Sequence, residues 1–267
     1  MTAGPDAAGG AGKVPALVVE DVRLRFGGVV ALDGPSFTLE PGHIVGLIGP
    51  NGAGKTTLFN CISRLYQPES GRIAFGDKDL LSLSADGVAD VGIARTFQNI
   101  GLFPTMSVVD NVLTGAYSRT RTGFLGTALG LPRSGREERC ERDEAWALLE
   151  SMNLARVGRE PAGTLPYGTL KRIELARALM QRPKLLMLDE PANGLIHEEV
   201  LELAETVRQL RDERGFSVLL VEHHMAMVMS ISDRVVVLNF GQKITEGLPA
   251  DVSAHPEVVE AYLGGAA

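Results

Sequence analysis

The stretch that decides the fold is Gly49-Pro50-Asn51-Gly52-Ala53-Gly54-Lys55-Thr56-Thr57. It matches the pattern G-x-x-x-x-G-K-[ST], in which glycines let backbone N–H groups turn inward around a phosphate. The apolar run from Ile44 to Ile48 is typical of a buried strand, and the segment from Thr56 to Arg64 is typical of a helix. An ordinary glycine-rich turn is the alternative, but the strand and helix on either side favour a phosphate-binding loop.

The side chains of this loop predict the ligand. Lys55 is placed to reach the β and γ phosphates of a nucleotide, and Thr56 to bind Mg²⁺ through its hydroxyl. We therefore expect a nucleotide and Mg²⁺ as the cofactors, with all nine residues from Gly49 to Thr57 contributing to the cofactor site.

Length and composition fit an ordinary folded protein. The chain has 267 residues, enough for one core with a subdomain. Its net charge of −7 counts against general binding of nucleic acid. Cys61 and Cys140 form no metal or disulfide framework, and we expect both to be reduced and structural. No apolar run approaches the roughly 20 residues that span a bilayer and no signal peptide is evident, which predicts a cytoplasmic protein.

The amino-terminal part begins with a segment from Met1 to Lys13 that has nothing to bury and is expected to be disordered. Alternation of apolar and polar residues from Ala16 to Phe26 and from Val29 to Leu39 predicts two antiparallel strands. Phe26, at the end of the first strand, is a candidate for stacking on a purine, although most aromatic residues are simply core.

A second motif supplies two acids. The apolar run from Leu185 to Leu188 predicts a buried strand that ends in Asp189 and Glu190. Successive strand side chains point to opposite faces, so the two acids can do different work. Asp189 can hold Mg²⁺ through water and Glu190 can act as general base. A solvated acid pair is the alternative, and the phosphate-binding loop upstream counts against it.

Three further positions are weaker candidates. A strand from Gly92 ends in Gln98, whose amide can bind Mg²⁺ or hold a water, or can be a surface group. His223 follows a strand predicted from Phe216 to Val221 and can contact a γ-phosphate, or can be a surface group. A Pro-x-Gly turn, with Tyr167 and Gly168, places N–H donors at the start of a helix. After Arg95, alternating strands and helices predict a parallel sheet with ligands at the carboxyl ends of its strands.

Other elements are predicted from apolar spacing and capping residues. Ser107 is expected to cap a helix that runs through Val108 and Leu113. Further helices and strands are expected at 137–152, 171–180, 198–214, 234–239, 243–245 and 256–263. The segment from Tyr117 to Arg142 interleaves arginines with apolar residues, and it is either an amphipathic hairpin that touches a membrane or membrane partner, or a solvated insertion.

Together these residues resemble the ATP-binding cassette ATPases, and the resemblance covers nearly everything after Ala16. It implies that Phe26 stacks on adenine, that Gln98 belongs to a lid loop and binds Mg²⁺, and that His223 is a switch histidine. It also implies that Asp189 binds magnesium and that Glu190 is the general base. Glu190, His223 and Gln98 are thus the catalytic candidates, and Thr56, Gln98 and Asp189 the metal ligands.

Three segments narrow the resemblance. The runs 92–99, 102–108 and 235–241 are similar to ATP-binding subunits of bacterial branched-chain amino acid importers. The implied fold is an α/β P-loop NTPase core with a mixed sheet, an antiparallel β-subdomain and an inserted α-helical subdomain. Residues 1–14 are the disordered segment, 15–97 and 181–267 the two parts of the nucleotide-binding core, and 98–180 the helical subdomain.

The resemblance also implies a function and partners. We expect an ATPase that energises import of branched-chain or other small amino acids, peripheral on the inner face of the cell membrane. Its expected partners are transmembrane permease subunits, a second ATPase subunit in a head-to-tail dimer and, indirectly, a periplasmic or extracellular solute-binding protein, but no nucleic acid. In that dimer the signature loop from Leu165 to Thr169, including Tyr167 and Gly168, completes the partner's ATP site.

Two alternatives and two departures accompany this interpretation. The alternatives are a soluble cassette ATPase that acts in cofactor or complex assembly, and a nucleotide-binding regulator that does not hydrolyse. Pro166 replaces the family's signature serine and offers neither hydroxyl nor N–H, which would weaken closure on a phosphate. Ile196 stands where many cassettes have an aspartate.

Overall fold

The computed structural model describes residues 16–96, 100–117 and 132–263, and the side chains of residues 132–137, 262 and 263 are outside the description. Three expectations therefore lie outside the described residues: the amino-terminal segment, Gln98, and most of the arginine-rich insertion. Within the described parts the chain forms two sheets and a set of helices that pack on them.

The first sheet is antiparallel. Its strands are β1 (Leu17–Phe26), β2 (Val29–Asp33), β3 (Phe37–Leu39), β5 (Ser70–Phe75) and β6 (Lys78–Asp79). Their order is β2-β1-β5-β6, and β3 also pairs with β1. A register shift between Glu20 and Arg23 surrounds Asp21, whose φ is 44°. This bulge changes the alternation, so that β1 buries Val19 before it and Val22 after it.

The second sheet is mixed. Its strands are β4 (Ile44–Ile48), β7 (Ile93–Arg95), β8 (Leu185–Asp189), β9 (Ser217–Val221), β10 (Arg234–Asn239) and β11 (Gln242–Gly247). The order is β11-β10-β4-β9-β8-β7, with β11 antiparallel to β10 and the remaining neighbours parallel. All residues of β4, β8 and β9 are buried, as expected of parallel strands covered on both faces.

Nine α-helices are defined in the described residues. They are α1 (Lys55–Ile62), α2 (Ala85–Asp90), α3 (Val108–Leu113), α4 (Pro132–Ser151), α5 (Tyr167–Leu179), α6 (His197–Arg214), α7 (Met225–Ile231), α8 (Pro249–Ser253) and α9 (Pro256–Leu263).

The two faces of the mixed sheet belong to two hydrophobic cores. Along β8, Leu185 and Met187 face one core, which also contains α1 and the antiparallel sheet. Leu186 and Leu188 face the other core, which contains α3 to α7. The alternation follows directly from the period of two in a strand. Because both cores rest on the same strands, the carboxyl ends of those strands are fixed between them.

The predicted fold class is confirmed: the chain has a mixed sheet, an antiparallel sheet and packed helices. Several details were wrong. The strand predicted from Val29 to Leu39 is two strands, because Gly34, with a φ of 80°, and Pro35 interrupt it. The helix predicted from Lys171 begins at Tyr167, directly after Pro166.

Four short elements were not predicted. They are the strand β6 and the helices α2, α7 and α8. The expectation that both cysteines are structural is also wrong for one of them, because Cys61 is buried but Cys140 is exposed. Ser107 does cap α3, since its Oγ accepts a hydrogen bond from the Asp110 amide at 3.2 Å. The bounds predicted for β10 and α9 are confirmed.

Candidate nucleotide-binding site

The phosphate-binding loop joins β4 to α1 and is shaped by glycines. Gly49, Gly52 and Gly54 have φ values of 149°, 82° and 97°, a conformation that side chains disfavour. A Cβ on Gly49 would lie 2.1 Å from the Leu238 carbonyl oxygen, whereas a Cβ on Gly52 would meet nothing within 4 Å. Gly49 thus packs the loop against β10, while Gly52 leaves open space in which an anion can approach the backbone.

Lys55 lies across the inside of this loop. Its Nζ donates to the carbonyl oxygens of Gly49 at 2.7 Å and Pro50 at 3.0 Å. Burial lowers the pKa of Lys55, while the charges of Glu190 and Asp189 act in the opposite direction. The ammonium group is therefore held at the start of α1 with two acids nearby, where phosphate oxygens can replace the carbonyl acceptors.

A cleft of about 310 Å³ opens in front of the loop. Its lining brings together β2, the loop, the first turn of α1 and one of the two acids. The lining residues are Val29, Val30, Ala31, Asn51, Gly52, Ala53, Gly54, Lys55, Thr56, Thr57 and Glu190. Inward-turning loop glycines, an ammonium group and the amino end of a helix suit a polyphosphate. The predicted loop residues from Asn51 onward therefore share one cavity with Glu190.

The two acids separate at the end of β8. Asp189 is the last residue of the strand, and its Oδ2 accepts a hydrogen bond of 2.7 Å from Arg95. Glu190 follows in a left-handed conformation, with a φ of 48°, and its amide donates to the Val221 carbonyl at 2.9 Å. This turn directs Glu190 to the cleft, whereas Asp189 is not among the lining residues.

The donor set suits Mg²⁺ bound together with a nucleotide. In the described part of the chain, no group of three or more His, Cys, Asp or Glu side chains could hold a metal by itself. Mg²⁺ usually keeps several waters and binds one or two protein oxygens together with substrate phosphates. Thr56 lines the cleft, and Asp189 ends β8, which β9 separates from β4 in the sheet. These residues fit a metal ion that the phosphates help to bind.

Glu222 holds the backbone that follows β8 and β9, a role that was not predicted from the sequence. It is fully buried, and its Oε2 accepts hydrogen bonds from the amides of His223 at 2.8 Å and His224 at 3.0 Å. The His223 side chain is 49% exposed, and its ring lies 4.7 Å from that of His224. The available signal was a carboxylate between an apolar strand and a histidine.

Phe26 is only loosely connected with this cleft. It ends β1, its exposed fraction is 47%, and its ring packs edge-on against Tyr66 with the centroids 5.2 Å apart. It is not among the residues that line the cleft. Its stacking on adenine stays a prediction.

Comparison with known proteins is consistent with this geometry. The family model described as ABC transporter matches residues 32–193, which include the phosphate-binding loop and both acids. The chain belongs to the ATP-binding cassette transporter family. A second model, described as Branched-chain amino acid ATP-binding cassette transporter, matches residues 242–267 of this cassette ATPase.

Relatives of the cassette are similar over nearly their whole length. The high-affinity branched-chain amino acid transport ATP-binding protein BraF of Pseudomonas aeruginosa is 42% identical over 94% of this chain and 99% of its own. The corresponding protein LivG of Escherichia coli K12 is 40% identical over the same shares. Two crystal structures of an ATP-binding cassette from an ABC transporter are each 31% identical to this chain. The nucleotide-free form has a TM-score of 0.80 and covers 93% of this chain and 98% of its own. The ADP form has a TM-score of 0.81 and covers 94% of this chain and 99% of its own.

The expected signature loop, residues 165–169, has no residue among those that line the cleft. Tyr167 and Gly168 form the first turn of α5 and are not among the cleft residues. Pro166 is the N-cap and makes no side-chain cap. Ile196, the other departure, is 64% exposed before α6, and its amide donates to Glu199 at 3.1 Å. One chain therefore brings the phosphate-binding loop and Glu190 together, but Tyr167 and Gly168 of that chain lie outside the cleft.

Among the helices of residues 16–96, 100–117 and 132–263, none combines the length and the apolar character that crossing a bilayer requires.

Proposed function

We propose that this cassette hydrolyses ATP to energise the import of branched-chain amino acids. The observation that carries the proposal is the shared cleft, in which Lys55 and Glu190 face the same space beside the phosphate-binding loop. The substrate class is supported by BraF and LivG, which are named branched-chain amino acid transport proteins.

The chemistry follows from where charge develops. Hydrolysis needs stabilisation of the phosphate oxygens and a proton acceptor for the attacking water. Lys55 and the inward-turning amides of the loop stabilise the phosphate charge. Glu190 accepts the proton of the water, since its carboxylate lines the cleft and its backbone is fixed to Val221. His223 contacts the γ-phosphate from the end of β9.

The metal has a supporting role in this account. When bound, Mg²⁺ would neutralise charge on the phosphate oxygens. Thr56 and Asp189 would hold it, and Gln98 is a further proposed ligand. The purine is proposed to stack on Phe26.

A second ATPase subunit and membrane subunits complete the assembly. Tyr167 and Gly168 lie outside the cleft of their own chain, so we assign them to the nucleotide of a second subunit in a head-to-tail dimer. The amino end of α5 offers N–H donors for this, although Pro166 contributes none. The helical subdomain, residues 98–180, is proposed to contact transmembrane permease subunits on the inner face of the membrane, and a solute-binding protein delivers the solute.

The test is a purification from native membranes. The full-length protein carries a tag at its carboxyl terminus, the membranes are dissolved in mild detergent, and the proteins that co-purify are identified. Two polytopic membrane subunits and a second ATPase are expected. Uptake of labelled leucine should be lost with Lys55→Ala and retained with Glu213→Gln, an exposed change on α6. Soluble partners alone, with leucine uptake unaffected by Lys55→Ala, would overturn the proposal in favour of an assembly ATPase.

A further inference from the structure

A buried ion pair lies directly behind the candidate site. The Arg95 Nη2 atom is 2.7 Å from the Asp189 Oδ2 atom, and the exposed fractions of the two side chains are 10% and 6%. Removing one partner of such a pair leaves a buried charge without compensation, which costs far more than loss of a surface pair. The sequence interpretation placed Arg95 in a strand and gave it no function.

Arg95 is held in one orientation by further contacts. Its Nη1 donates to the Asn60 Oδ1 at 2.8 Å and to the Ser63 Oγ at 3.0 Å. Its guanidinium carbon lies 5.4 Å from the centroid of the Phe59 ring. These partners belong to α1 or to the residue that ends it. A planar guanidinium can donate to Asp189 and to the side chains of α1 at once, because its donors point in fixed directions.

Three elements meet at Arg95, and two of them, α1 and β8, lead into the candidate site. Helix α1 begins with Lys55, strand β8 ends with Asp189, and β7 ends with Arg95 itself, three residues before Gln98. The order β9-β8-β7 brings Arg95 beside Asp189 although 94 positions separate them in the sequence. The guanidinium therefore links the helix that carries the phosphate-binding lysine to the strand that carries the metal-binding acid.

The charge of Asp189 acts on Lys55 in the cleft. Burial lowers the pKa of Lys55, whereas the negative charges of Glu190 and Asp189 favour its charged form. A negative charge that reaches Lys55 also repels phosphates bound there. An opposite charge on Arg95 reduces that repulsion whenever no metal ion does so.

We propose that Arg95 is a positioning residue for the magnesium and nucleotide site, which holds Asp189 against α1 and offsets its charge. This inference rests on the proposed function, since it concerns the same nucleotide. In this account, Arg95 allows the site to bind nucleotide before the metal ion is bound. In the metal-loaded site the ion itself offsets the charge of Asp189, so Arg95 matters less there.

The test compares nucleotide affinity with and without Mg²⁺. The dissociation constant of ADP is measured by calorimetry on the full-length protein, once with excess Mg²⁺ and once with EDTA. In Arg95→Met, affinity in EDTA should fall at least fivefold relative to wild type, while affinity in Mg²⁺ changes less than twofold. The ratio of the dissociation constant in EDTA to that in Mg²⁺ should thus rise at least about 2.5-fold. Arg95→Lys keeps the charge but loses the planar set of guanidinium donors, so its ratio should lie between those of wild type and Arg95→Met.

Two comparisons separate this role from a structural one. If Arg95→Met weakens both affinities by the same factor, the ratio is unchanged and Arg95 only supports the fold. In Asp189→Asn the charge is gone, so adding Arg95→Met should leave the ratio within twofold of that single variant. If Arg95→Met does not fold, a wild-type ratio in Arg95→Lys overturns the inference.

The wild-type protein decides between the inference and the proposed function. If wild type binds ADP neither with Mg²⁺ nor in EDTA, the proposed function fails, and the inference with it. If wild type binds ADP and Arg95→Met shows the same ratio of the two constants as wild type, the inference fails while the proposed function stands.

Discussion

Glu222 and Ala192 are joined by a hydrogen bond of 2.8 Å, in which the Ala192 amide donates to the buried Oε1 of Glu222. The other carboxylate oxygen accepts from the amides that follow β9. One carboxylate therefore fixes both the segment two residues beyond Glu190 and the backbone of His223. Glu190, the proposed proton acceptor, and His223, the proposed contact of the γ-phosphate, consequently follow backbone segments that one carboxylate holds together.

Glu222→Gln tests this coupling. An amide nitrogen in place of one oxygen cannot accept from a backbone N–H, so a buried donor loses its partner at a cost of about 1–3 kcal/mol in the free energy of unfolding. The kcat of ATP hydrolysis should also fall, while ADP affinity stays near wild type because the loop from Gly49 to Thr57 is untouched. Urea unfolding and phosphate release measure both effects. Glu213→Gln is the exposed control, and a Glu222→Gln protein with wild-type stability and kcat would refute the coupling.

Two glycines of the phosphate-binding loop should differ in their tolerance of a methyl group. Both Gly49 and Gly52 have positive φ, which costs about 1–3 kcal/mol for another residue. Only at Gly49 does the new Cβ also meet a backbone atom, at 2.1 Å from the Leu238 oxygen. We expect Gly49→Ala to lower the free energy of unfolding clearly more than Gly52→Ala, measured in urea without nucleotide. Equal losses would show that contact with β10 does not constrain the loop.

The pH dependence of stability should carry the signature of Lys55. Its pKa in the folded protein lies below the ordinary value of 10.5, chiefly because burial disfavours the charge. The unfolded state then binds more protons, so the contribution of Lys55 to stability becomes more favourable as pH rises toward that value. The difference in unfolding free energy between wild type and Lys55→Met should shift in favour of wild type from about pH 7 to about pH 9.5. A difference that stays constant or shifts the other way would contradict the lowered pKa.

The two cysteines should react at very different rates. Burial raises the pKa of the Cys61 thiol to about 11, whereas Cys140 is exposed on α4. Since the thiolate is the reactive form, iodoacetamide at about pH 8 should modify Cys140 in the native protein and Cys61 only after unfolding. Mass spectrometry of the modified peptides measures this, with Cys140→Ser as the control that leaves native protein unlabelled. Modification of both cysteines at similar native rates would contradict the burial of Cys61.

The sequence predicted those features that local chemistry determines. The loop before α1 and the apolar strand before Asp189 each carry their signal in a few adjacent letters. The ion pair of Arg95 and Asp189 depends instead on the order of β7, β8 and β9, which no local pattern specifies. The short helices α2, α7 and α8 were missed because five to seven residues show little periodicity.

The start of α5 shows a different limit of the sequence interpretation. Its first residue is Tyr167, although the apolar spacing becomes clear only from Lys171 onward. Proline is tolerated at a helix start, where an N–H would have no partner in the helix, so Pro166 marks the boundary better than the periodicity does. Giving capping positions more weight than apolar spacing would have predicted the correct start.

Phosphate release by Glu190→Gln, followed together with its association in ATP, tests the central claim most directly. Because Glu190 is assigned as the proton acceptor, its loss should lower the kcat of ATP hydrolysis at least about 100-fold. The Glu190→Gln protein should still bind ATP through Lys55 and should elute as a dimer from a sizing column. Lys55→Ala should show neither turnover nor dimer. A Glu190→Gln protein that stays monomeric in ATP and turns over at the wild-type rate would contradict the account.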